Sequence, residues 1–101
     1  MKLSNKKPKG LSFNRTKITS TVLNLIQILG NPQYAKNDGN KETNFEWICE
    51  LDSGEVFKIY DWKEFKSLDF DEPITFRIDG INQLITDIAK EEIENKLKNE
   101  N

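Results

Sequence analysis

Glu46-Trp47-Ile48-Cys49-Glu50-Leu51-Asp52-Ser53-Gly54-Glu55-Val56-Phe57-Lys58-Ile59-Tyr60-Asp61-Trp62-Lys63 is the stretch whose reading decides the fold class. Two apolar-patterned segments flank the turn signal Asp52-Ser53-Gly54, so the run predicts a β-hairpin. On the first strand Phe45, Trp47, Cys49 and Leu51 share one face, and Glu46, Ile48 and Glu50 the other. On the second, Phe57 and Ile59 oppose Val56, Lys58 and Tyr60. The run holds both tryptophans, one of the two tyrosines and the only cysteine. Such a concentration of large rings makes it either the core or the binding site of a small domain.

Working outward, Ile74, Phe76 and Ile78 alternate with Thr75, Arg77 and Asp79, which predicts a half-buried third strand ended by Asp79-Gly80. Ile81, Leu84, Ile85, Ile88, Ala89, Ile93 and Leu97 recur at helical spacing and predict a C-terminal helix over about residues 81–97, frayed over 98–101. Upstream, Ile18, Val22, Leu25, Ile26 and Leu29 predict a helix over about 19–29, capped by Thr19 or Ser20 and closed by Gly30 and Pro32. Residues 30–43 are dense in turn formers, and residues 61–73 form an acidic loop. Residues 1–14, with Pro8, Gly10 and only three apolar points, read as a flexible basic tail. The expected architecture is therefore α+β: a three-stranded antiparallel sheet with two helices in the order α-β-β-β-α, one domain over 15–101 behind the tail. Helices packed on one side leave the other sheet face, or an edge, to meet a partner. Such edges are also compatible with a homo-oligomer.

Composition excludes several functions. The chain has 101 residues, room for one modest core. There is no histidine, which removes the commonest general base and the commonest transition-metal ligand. One cysteine cannot supply a zinc site or an internal disulfide, and no glycine-rich phosphate cradle is present. No cofactor, metal site or catalytic residue is expected, and the protein reads as a non-enzyme. Without an apolar segment behind the basic N-terminus there is no signal-peptide pattern, and no stretch approaches the roughly 18 apolar residues of a membrane span. The expectation is a soluble cytoplasmic protein without membrane contact. Net charge is only −2, but it is unevenly laid out: residues 1–17 carry six bases and no acid, and residues 42–79 carry eleven acids against four bases.

Few side chains remain as functional candidates. Cys49, between Trp47 and Leu51, reads as a small buried hydrophobe. Asp69, Asp71 and Glu72 lack calcium-loop spacing and read as a solvated loop. Tyr60 and Trp62 stand beside Lys58, Asp61 and Lys63, and flat rings next to cations can stack a base, hold a phosphate or anchor a protein interface. With Tyr34 from the preceding loop, these are the candidate ligand- or partner-binding residues.

Leu29-Gly30 followed by Pro32, the Asp-Gly-rich loop, Glu46-Trp47, Gly54 and Ile59-Tyr60-Asp61-Trp62-Lys63 form a pattern. It resembles small uncharacterised domains of bacteriophages and other DNA viruses, which carry an "EW…DG…IYDWK" hairpin followed by an aromatic strand ending in two glycines. The likeness covers about residues 29–82. Phe76-Arg77-Ile78-Asp79-Gly80 is the counterpart of that last strand, with Asp79 at the first glycine position. The resemblance implies a viral origin more than a mechanism and supplies no catalytic residues to carry over. The expectation is a small non-enzymatic binding protein that antagonises host defence, either sequestering a nucleotide-type signal or blocking a host protein. The alternative is an accessory nucleic-acid-binding protein using residues 1–17 and exposed aromatics.

Overall fold

The computed structural model describes residues 1–99. The predicted hairpin is present, as strands β4 (Phe45–Glu50) and β5 (Val56–Asp61) paired antiparallel with Trp47 opposite Ile59 and Cys49 opposite Phe57. Its turn closes through Leu51 N–H to Glu55 O at 2.9 Å and Gly54 N–H to Leu51 O at 2.8 Å. Gly54 sits at φ 96°, a left-handed conformation that a side chain would strain. The third strand, β6 (Ile74–Gly80), lies beside β5 with Ile59 opposite Ile78.

The sheet is larger than the sequence predicts. It has six strands in place of three, because the N-terminal region is not a flexible tail and the first loop is not strand-free. β1 (Lys2–Leu3) pairs with β4, β2 (Ser12–Ser20) pairs with β6, and β3 (Tyr34–Ala35) pairs with β4. The order is β1-β4-β5-β6-β2, with β3 beside β4 and every pairing antiparallel. The α-β-β-β-α order is corrected accordingly. The long strand β2 escapes a search for apolar alternation because its inward positions are Thr16, Ile18 and Ser20, only one of them apolar. Polar pairing replaces apolar burial there. The Thr16 hydroxyl donates to Thr86 at 2.8 Å and accepts from the Gln83 amide at 3.1 Å, both on the C-terminal helix.

Two helices cover one face. α1 (Val22–Leu29) starts at Thr21, whose hydroxyl accepts from Asn24 N–H at 3.0 Å, and ends at Gly30. It begins later than the expected residue 19 because Thr19 and Ser20 belong to β2. α2 (Gln83–Asn99) is capped by Asn82, which accepts from Ile85 N–H at 3.0 Å. The final two residues of the expected frayed end lie outside the described residues. Gly80 permits the close approach of α2: a Cβ there would stand 2.8 Å from the Thr86 methyl.

Between the helices and the sheet lies a core of Trp47, Phe57, Ile59, Phe76, Ile78, Val22, Leu25, Ala89 and Ile93, all closed to solvent. The Trp47 ring stacks on Phe45 at 6.1 Å and meets Phe76 edge-on at 6.0 Å. Its indole N–H donates to Gly30 O at 2.9 Å, which gives a buried polar atom its partner. No helix among the described residues is long and apolar enough to cross a membrane.

Candidate ligand-binding face

Strand alternation sends Phe45, Trp47, Cys49, Phe57, Ile59, Asp61, Phe76 and Ile78 toward the helices. It sends Glu46, Ile48, Lys58, Tyr60, Arg77, Asp79 and Lys17 to the face no helix covers. The registers then line up one row across five strands: Tyr34, Glu46, Tyr60, Arg77 and Lys17. This row is the frame of the candidate site.

At its centre, the Arg77 guanidinium lies between two rings, 4.3 Å from the Phe13 centroid and 5.0 Å from that of Trp62. Lys17 stands over Phe13 at 5.9 Å and Lys63 over Trp62 at 5.4 Å. The result is a run of alternating cation and ring, Lys17–Phe13–Arg77–Trp62–Lys63. The Tyr60 hydroxyl engages one part of this guanidinium, which has five N–H donors in all and can direct others to an anion. Among the described residues, no carboxylate lies within ion-pair distance of Lys17, Arg77 or Lys63. Left-handed backbone conformations occur beside the run at Arg15, φ 64°, and within it at Lys63, φ 56°. Arg15 belongs to the bulge at Asn14–Arg15, beyond which Phe13 stands opposite Asp79.

Tyr60 is less accessible than its motif implies. It is only 7% exposed, meets Trp62 edge-on at 6.0 Å, and donates its hydroxyl to Asp79 at 2.8 Å. Burial, reinforced by the Asp79 carboxylate, pushes the phenol well above its ordinary pKa, so it remains a neutral donor. Lys58 stands over the Tyr60 ring at 5.5 Å and pairs with Glu46 at 3.4 Å.

Asp61 stands on the other side of the sheet and touches none of these groups. It is fully buried and accepts hydrogen bonds from the backbone N–H groups of Asn44 and Phe45, at 2.9 and 2.8 Å, and from the Asn44 side-chain amide at 3.0 Å. Asn44 also donates to Lys66 O and accepts from Gly39 N–H. Asp61 thus anchors the two loops that rim the open face. Alternation divides the Tyr60-Asp61-Trp62 motif into an outer pair and an inner carboxylate.

Tyr34 lies at the far end of the row, half-buried, where it lines an open cavity of about 260 Å³ with Lys41, Glu42, Thr43 and Glu46. The cavity adjoins the cation–ring run because Lys63 N–H donates to Glu42 O at 2.7 Å. The structure therefore gathers Tyr60, Trp62, Lys58, Lys63 and Tyr34 on one face and sends Asp61 to the core. Phe13, Lys17 and Arg77 join the face without having been singled out in the sequence. The alternation of β6 alone turns Arg77 outward, whereas Phe13 lies in the segment that composition reads as a tail.

Cys49 is fully buried, and burial pushes its thiol up to about 12, which leaves it without nucleophilic character near neutral pH. The chain matches no protein-family model, no curated protein and no solved structure.

Proposed function

We propose that this chain is a small non-enzymatic binding protein of the phage type, which counters a host defence by stoichiometric occupancy of a nucleotide-type signal on its open sheet face. The observation that carries the reading is the Arg77 guanidinium held between Phe13 and Trp62, flanked by the ammonium groups of Lys17 and Lys63, which pair with no carboxylate among the described residues. A nucleotide offers the complement, a phosphate for the guanidinium edge and a flat base for a ring face. The N-terminal lysines support a nucleic-acid tail less well: Lys2 and Lys6 both stand near Glu50, at 3.6 and 3.7 Å.

The test is isothermal titration of the full chain against a panel of mononucleotides, short linear oligonucleotides and cyclic mono- and oligonucleotides, followed by recovery of the ligand. Binding is expected, with affinity lowered at least about tenfold by Arg77→Ala, in line with a lost charge-assisted contact. The ligand is expected back chemically intact after long incubation. Absence of heat with every nucleotide overturns the nucleotide reading, and a converted product overturns the non-enzymatic one.

A further inference from the structure

Resting on that reading of the open face, we infer that its ligand is an oligonucleotide with more than one phosphodiester, laid across the strands from Lys17 to the cavity beside Tyr34, and not a single nucleotide. The row Lys17, Arg77, Tyr60, Glu46, Tyr34 crosses four strand-to-strand steps, about 19 Å at the usual spacing. One phosphate can engage only one point on such a row.

Cations and rings continue along it. After Lys17, Phe13, Arg77, Trp62 and Lys63, the contact of Lys63 N–H with Glu42 O leads into the cavity where Lys41 and Tyr34 stand. This gives a fourth cation and a third ring, with Tyr34 three strand-to-strand steps from Arg77, about 14 Å. Alternating positive charge and stacking surface is the pattern that tracks a phosphodiester backbone with splayed bases. The two acids of the cavity do not close it to anions. Glu46 is paired with Lys58 at 3.4 Å, and Glu42 is exposed to solvent. Bases stacked at Trp62 or Phe13 would displace Lys63 or Lys17 from the ring face and free each ammonium for the neighbouring phosphate.

The same chemistry is offered by a cyclic oligonucleotide signal and by a single-stranded segment of nucleic acid. A length series separates the proposal from its premise, and its two arms separate the sources. Linear 5′-phosphorylated oligoadenylates of one to four units, and cyclic di- and triadenylate, are titrated into the wild-type chain at fixed salt. Affinity is expected to rise about tenfold for each added base that stacks, in one arm or both, with the stronger arm naming the source. The tetranucleotide-to-mononucleotide affinity ratio is expected to fall about tenfold in Lys41→Ala and in Tyr34→Ala, both loop or edge changes. Binding of the mononucleotide as tightly as every longer form, or a ratio unmoved by both variants, overturns this inference and leaves the nucleotide reading standing. Absence of binding at every length overturns both.

Discussion

Replacement of Asp61 by alanine is the sharpest test of how the rim of the open face is held. Asp61 is closed to solvent, and its two carboxylate oxygens accept from three donors: Asn44 N–H, Phe45 N–H and the Asn44 amide. Asp61→Ala leaves the two backbone N–H groups without a partner and takes one of the two acceptors of the Asn44 amide, which keeps Lys66 O, in a space closed to solvent. Each orphaned buried donor costs about 1–3 kcal/mol, so the two together cost about 2–6 kcal/mol. That is a large part of the 5–15 kcal/mol typical of a whole domain. Urea unfolding followed by near-ultraviolet dichroism reads the loss as a lowered midpoint. Asp61→Asn keeps the volume and one acceptor oxygen but turns an NH2 group toward a donor, so an intermediate loss is expected. Asp69→Ala, an exposed loop acid, serves as control, within about 0.5 kcal/mol of wild type. Amide exchange at Asn44 and Phe45 should accelerate in Asp61→Asn. A loss below about 1 kcal/mol in Asp61→Ala would refute the anchoring role, because the donors must then find water or new partners cheaply.

Gly39 has φ 73°, and a Cβ there would stand 2.6 Å from the Lys66 backbone, so Gly39→Ala should cost about 2–4 kcal/mol in chemical denaturation; an unchanged midpoint would show the two loops can part freely. Cys49 is held neutral by burial, its thiol raised from 9.0 to about 12. Because the folded value is the higher one, this contribution is full below pH 9 and is lost as pH climbs from 9 toward 12, at up to about 1.4 kcal/mol per pH unit. Urea midpoints at pH 8, 9 and 10 should therefore fall in the wild type and fall less steeply in Cys49→Ala, whereas identical slopes would remove the thiol from the account.

The central hairpin, its neighbour β6 and both helices were legible because each buries one apolar face, which leaves a period in the sequence. Trp47, Cys49, Phe57 and Ile59 announce themselves in this way, and so do Leu25 and Ile93. The N-terminal strands left no such period. β1 and β3 are two residues each, and β2 turns Thr16 and Ser20 inward, where the Thr16 hydroxyl bonds to α2 and the Ser20 hydroxyl to Thr21 O in place of apolar burial. The motif Ile59-Tyr60-Asp61-Trp62-Lys63 was visible as a cluster of chemistry, but its division was not. Readable from residue order alone are an α+β domain without histidine, rings and cations concentrated near residue 60, and an outward position for Arg77. The folded sheet alone makes Asp61 an inner anchor, closes Tyr60 over Asp79, and brings Phe13 and Lys17 to the open face. The physical reason is that strand pairing between residues far apart in the chain is settled by register and by polar contacts across the sheet. Local periodicity carries no record of either.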